Sequence, residues 1–162
     1  MRVICLLNFL FLFTQLFSQN ENSNCLIKPS IGIDKITLNI TSVDTIYNLL
    51  SKTELKKENY GKENGGIQYI LSYPEKGITI RLFKAKKVYQ IISIEAKAPC
   101  ECKTTNGIGL GTTKEELIEK MGKPRESWEN ETESHLDYKG VLFLLKNNGQ
   151  NKFLVSQLMI VP

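Results

Sequence analysis

The chain has 162 residues, 41% hydrophobic and 23% charged, with 21 Lys and Arg against 17 Asp and Glu. A net charge of +4, spread along the chain, argues neither for nucleic acid nor for an anionic membrane surface as partner. The length suits one ordinary domain, or two very small ones that share a core.

The first residues give an address. Arg2 is a minimal positive start, Val3–Phe17 is almost continuously apolar, Ser18 is small, and Gln19-Asn20-Glu21-Asn22 is abruptly polar. This is the pattern of a secretory signal peptide over residues 1–18, cleaved after Ser18. A retained membrane anchor is the competing reading, but about fifteen apolar residues fall short of the ~20 that a span needs. Neither Cys5 nor Cys25 follows the small residues that a lipoprotein signal requires. No second apolar run is long enough to span a membrane. The expected product is a secreted or periplasmic protein beginning at Gln19, with 20 basic and 17 acidic residues left.

Residues 19–32 read as a flexible lead-in. A first unit over 33–98 opens with a strand from Ile33 to Ile40, in which Ile36, Leu38 and Ile40 alternate with polar residues. Thr41-Ser42-Val43-Asp44 then carries a helix start, and Val43, Ile46, Tyr47 and Leu50 share one side of the helix that follows. Residues 53–66 are polar and end in Asn64-Gly65-Gly66, a turn signal. Three strands are predicted next, at Ile67–Tyr73, Ile78–Lys84 and from Val88 to about Glu95. Ile78, Ile80 and Leu82 mark the buried face of the second, and Val88, Ile92 and Ile94 that of the third.

Residues 99–106 form a linker with Pro99 and Cys100-Glu101-Cys102. A second unit over 107–162 starts with a fuller helix instruction. Thr112 or Thr113 caps it, Glu115 and Glu116 stand three residues after each, Leu117, Ile118 and Met121 form a stripe, and Gly122 and Pro124 end it. Arg125–Asn130 holds a short strand around Trp128, and strands follow at Ser134–Tyr138, Val141–Lys146 and Lys152–Val161. Thr41 and Ser42 align with Thr112 and Thr113 at an offset of 71, and Gly77-Ile78-x-Ile80-x-Leu82 aligns with Gly140-Val141-x-Phe143-x-Leu145 at 63. An internal duplication is the economical reading. The expected fold is therefore α+β, two tandem units each made of a short helix and an antiparallel β-meander.

The second half also resembles a known group. Its capped helix ending in Gly-x-Pro, the run Tyr138-x-Gly140-Val141-x-Phe143 and the closing Leu158-x-Ile160 are similar to the β-lactamase-inhibitor-protein-like modules. The small outer-membrane assembly lipoproteins with a helix-then-sheet unit are of the same broad type. The resemblance covers 107–161 well and 33–95 weakly, and it implies a secreted, non-enzymatic binding module. It carries over no contact residue.

Chemical motifs are few. Gly107-x-Gly109-x-Gly111 lacks the preceding strand and third glycine of a dinucleotide site, and it lacks the Lys-Ser/Thr of a phosphate loop. His135 is the only histidine, with no nucleophile placed by any motif. Glu126, Glu129, Glu131 and Glu133 with Asn130 form an acidic loop whose spacing matches no calcium loop. No catalytic, cofactor-binding or metal-binding set is assigned. Cys100-Glu101-Cys102 lacks the second pair that zinc requires.

Cys25, Cys100 and Cys102 remain after the leader is removed, an odd number in an oxidising compartment. A disulfide from Cys25 to Cys100 or Cys102 is expected, since both sites lie just ahead of a capped helix. A bond between Cys100 and Cys102 is the competitor.

The class these features fit is a binding or inhibitor-like protein whose partner is another protein. Alternatives are a carrier or enzyme using a pocket between the units, built on His135, Tyr138 and the acidic loop, or a structural envelope component. Period-two alternation turns Arg81, Phe83 and Tyr89 outward in the first unit, and Leu142 and Leu144 outward in the second. These five form the candidate partner-binding set. The competing reading has the two outward faces packed on one another.

Overall fold

The computed structural model describes residues 25–60, 66–150 and 152–162. The expected leader at 1–18 and the start of the lead-in lie outside them. The two helix starts are built alike. Ser42 caps α1 (Val43–Leu50) by accepting from the Thr45 N–H, and Thr113 caps α2 (Lys114–Met121) by accepting from the Glu116 N–H, each at 3.2 Å. The threonine before each cap closes the entering turn: Thr41 Oγ1 accepts from the Thr37 N–H at 2.8 Å, and Thr112 Oγ1 from the Gly109 N–H at 3.1 Å. Gly122 ends α2 at φ +79°, its N–H donating to the Ile118 carbonyl at 2.8 Å.

Helices of eight residues are unstable alone. Each buries one residue fully, Ile46 or Leu117, while Ile118, expected on the apolar stripe, stays exposed. The carbonyls at their C-terminal ends have no helical donor. Tyrosines from the sheet supply one each: Tyr73 Oη donates to Ser51 O at 3.1 Å, and Tyr138 Oη to Gly122 O at 2.9 Å.

The remaining elements are strands. β1 (Leu26–Lys28), β2 (Gly32–Ile33), β3 (Ile36–Thr37) and β8 (Lys103–Thr104) form a small sheet in the order β3-β2-β1-β8, with β1 and β8 parallel. The large sheet comprises β4 (Leu55–Asn59), β5 (Ile67–Tyr73), β6 (Ile78–Ala85), β7 (Val88–Lys97), β9 (Glu126–Glu129), β10 (Glu133–Tyr138), β11 (Val141–Asn147) and β12 (Phe153–Ile160). Its order is β4-β5-β6-β7-β12-β11-β10-β9, all antiparallel, so β7 and β12 join the two meanders at their last strands.

This overturns the α+β tandem-unit fold class. Among the described residues strand makes up 49%, in 12 strands and two sheets, and the fold is mainly β. The strands that tip the balance come from stretches read as loop. β4 lies in the polar run 53–66, β1 in the lead-in and β8 in the linker, and the single strand expected at Ile33–Ile40 is split into β2 and β3. Edge strands and two-residue strands leave too few side chains alternating between core and water to give a period-two signal. In β4 all four residues from Lys56 to Asn59 are exposed.

One face of the large sheet carries the core. Leu71, Ile80, Ile94, Ile160, Val141 and Tyr138 are successive cross-strand partners over six strands, and all are buried. Ile27, Ile33 and Ile36 of the small sheet, with Ile46 and Leu117 of the helices, belong to the same buried cluster. Two β-bulges break the alternation expected from sequence. A register shift at Arg81/Leu82 pairs Leu82 with Ile91, so Ile91 is buried, Ile92 half-buried and Val88 exposed. A second shift at Leu144/Leu145 pairs Leu145 with Val155, which is buried.

Cys25 and Cys102 form the disulfide, and Cys100 is a buried free thiol whose pKa is raised by burial. Neither a Cys25–Cys100 nor a Cys100–Cys102 bond is present. Closing a loop of sequence separation 77 stabilises by up to about 4.5 kcal/mol in the chain-entropy model.

Two predictions follow from these contacts. Gly140 has φ +80°, and a Cβ there would lie 2.0 Å from Ser30 Oγ, at the point where the Ser30 N–H donates to Gly140 O at 3.0 Å. Gly140→Ala is expected to cost about 2–4 kcal/mol in urea melts, since strain and a backbone shift act together. Burial, reinforced by Tyr47 and Glu75, pushes the Tyr73 phenol up to about 12 from 10.0. The stabilisation from this neutral phenol is therefore complete below pH 10 and is lost as pH rises through about 12. Unfolding free energy should fall by on the order of 2–3 kcal/mol across that interval, and Tyr73→Phe should remove that part of the slope.

Candidate functional site

The face opposite the core is the candidate site. Its rows can be read from the strand register. One runs Thr79, Glu95, Met159, Leu142, Asp137, Glu126; the next runs Lys97, Gln157, Leu144, His135, Trp128. No helix or strand among the described residues packs over these rows. Half of the face is polar and internally bonded. Arg81 Nε donates to Glu95 Oε1 at 2.7 Å, Arg81 Nη1 donates to Tyr60 Oη at 2.7 Å, and Gln157 Nε2 reaches Glu95 Oε2 at 3.4 Å. Burial opposes the Arg81 charge, but bonds to Glu95 and Tyr60 overcome it and the pKa is raised. The other half sets apolar and aromatic residues beside Asp137 and Glu126, with Leu142, Leu144 and Met159 half-buried and Trp128 exposed.

Of the five residues expected to meet a partner, four share this face. Arg81 and Phe83 lie on β6, and Leu142 and Leu144 on β11, three strand spacings away, or about 14 Å. The two outward faces are thus side by side in one sheet and do not pack on one another. Tyr89 is the exception. The bulge at Ile92 reverses its parity, so Tyr89 sits on the helix side, edge-to-face with Tyr69 at 5.0 Å and under Lys84 Nζ at 5.1 Å. Arg81 is on the right face but already committed to Glu95 and Tyr60.

Sequence reading missed Trp128 and Met159 as members of this face. Trp128 packs edge-to-face against His135 at 5.2 Å, and Arg125 Nη2 donates to both Asp137 oxygens at 3.0 Å beside them. The set proposed for a catalytic alternative is not assembled. His135 points to the open face, and Tyr138, three residues on, points to the core and donates to Gly122. The acidic loop is tied into the fold: Asn130 Oδ1 accepts from the N–H groups of Thr132 and Glu133, each at 2.8 Å. Lys114 pairs with Glu129, holding its carboxyl below the usual range. Among the described residues, no group of three or more His, Cys, Asp or Glu side chains is placed to hold a metal ion, and no helix is long and apolar enough to cross a membrane.

No protein-family model matches the chain, and no curated protein matches it in sequence. Two solved structures are similar at 12% identity and a TM-score of 0.45. One is a DUF4309 family protein (YjgB) from Bacillus subtilis, matched over 82% of this chain and 88% of that one. The other is a cysteine-rich secretory protein (SAV1118) from Staphylococcus aureus, matched over 88% of this chain and 48% of that one, so this chain spans about half its length. Neither likeness assigns a family.

The two kinds of residue on the open face should respond differently to truncation. Arg81→Ala leaves the Glu95 carboxylate, with a side chain 13% exposed, short of its charged donor. It is expected to lower stability by about 1–3 kcal/mol in thermal melts. Phe83→Ala, at a residue 43% exposed, should cost under about 0.5 kcal/mol.

Proposed function

We propose that the chain is an exported, non-catalytic binding protein that meets a protein partner with the open face of its eight-stranded sheet. The observation that supports this is the uncovered face itself. It sets Leu142, Leu144 and Met159 on the adjacent strands β11 and β12, and Trp128 on β9 beyond His135 and Asp137 of β10, opposite the face that carries the core. A solvated sheet face alternates polar residues there, and apolar residues rimmed by charge are the make-up of an interface. Export is supported by the signal-like start and by the Cys25–Cys102 disulfide, a bond of oxidising compartments. The resemblance of residues 107–161 to inhibitor-like modules points the same way.

The test is capture from the native envelope and medium with the exported chain, whose N-terminus mass spectrometry should place at Gln19. Phe83→Ser combined with Leu144→Asp is expected to abolish capture while shifting the melting temperature only a few degrees. Undiminished capture by that variant would refute the role of this face.

A further inference from the structure

The open face ends in a groove at its β9–β10 edge, about 430 Å³ in volume, lined by Arg125, Glu126, Trp128, His135, Asp137 and Leu142 among others. The register sets Glu126 directly opposite Asp137 on the same face, an arrangement that is destabilising for like charges. The one cation in the lining, Arg125, donates to Asp137 and to the Tyr138 carbonyl. No salt bridge reaches Glu126 among the described residues. With Arg125 against Glu126 and Asp137, the ionised lining carries a net charge of −1.

The aromatic side of the groove tells the same story. Among the described residues, three other rings have cations over them: Arg81 over Tyr60, Lys84 over Tyr89 and Lys114 over Phe153, at 5.7, 5.1 and 5.7 Å. Trp128, the strongest π partner of all side chains, has no such cation among the described residues and is 53% exposed. His135 fixes its ring edge-on. An indole beside an uncompensated carboxylate, over an apolar floor from Leu142, is a receptor for a guanidinium or ammonium group. The strand that carries Trp128 is also the last in the sheet. β9 pairs only with β10, and all four of its residues are exposed. An extended segment added there would send alternate side chains onto the open face.

We propose that this groove receives an arginine or lysine side chain from an extended partner segment that pairs with β9. This rests on the reading of the open face as a binding surface, and it names the chemistry of what binds at one end.

Trp128 is the only tryptophan, so its emission reports on the groove directly. Short peptides of alternating threonine and arginine should give a saturable change that weakens as salt is added. The same peptides with glutamate in place of arginine should give none. Glu126→Gln should weaken the arginine peptide by roughly tenfold without loss of melting temperature, since it also relieves the repulsion from Asp137. The absence of a saturable change, an equal response to the glutamate peptide, or unchanged affinity in Glu126→Gln would each overturn the proposal. If the arginine peptide fails while Phe83→Ser with Leu144→Asp still abolishes capture of the partner, the binding face stands and only this assignment falls.

Discussion

The pairing of β7 with β12 is the constraint on which the rest depends. It comprises four residue pairs, from Gln157↔Lys97 to Ile160↔Ile94. Without it, each four-stranded meander would end in a naked apolar edge, exposed to mispairing. With it, Ile94 and Ala96 meet Ile160 and Leu158 in the centre of the core, and all four are fully buried. The same seam carries Glu95 and Met159 on the other side, so the polar ladder built on Arg81 and the apolar patch around Leu144 become one surface. Core and candidate site are two faces of one hydrogen-bonded object.

What was legible in the sequence is what local chemistry determines. Ser42 and Thr113 cap their helices because a short hydroxyl next to free N–H groups suffices. The alternation of Ile78, Ile80 and Leu82, and of Val141, Phe143 and Leu145, marks the core face because these strands are paired on both sides and buried on one. Fold class was misread where neither condition holds. The residues Lys56–Asn59 belong to β4, an edge strand with its side chains in water, and nothing in their order distinguishes them from a loop. β1 pairs with β8, distant in sequence, beside the Cys25–Cys102 disulfide, a relation with no local signature.

The candidate site divides along the same line. Counting by twos from well-defined strands put Arg81, Phe83, Leu142 and Leu144 on the open face. The same count failed for Tyr89, because the extra residue at Ile92 reverses the parity of everything before it in β7. A bulge has no obligatory residue when it is not built on glycine, so Val-Tyr-Gln-Ile-Ile gave no warning. Trp128 stood out as a lone tryptophan, but its face was fixed only by its pairing with His135. The cysteine arithmetic gave an odd thiol and left the partner of Cys25 open. One residue, Glu101, separates Cys100 from Cys102, and only the parallel alignment of β1 with β8 selects between them.

The disulfide also gives the molecule a covalent topology. Cys25 and Cys102, 77 positions apart, close a ring that contains α1 and strands β1 to β7, with β8, α2 and β9 to β12 hanging from it as a tail. The exposed tip at Lys86-Lys87, where Lys86 takes φ +56°, is an inviting place for a trypsin-like protease. A cut there opens the ring without detaching anything: β6 and β7 part at the tip, yet both remain on one molecule through the sulfur bridge. The nicked chain stays one covalent molecule until it is reduced, and the open sheet face can survive a break in the backbone that would leave other proteins joined only by hydrogen bonds.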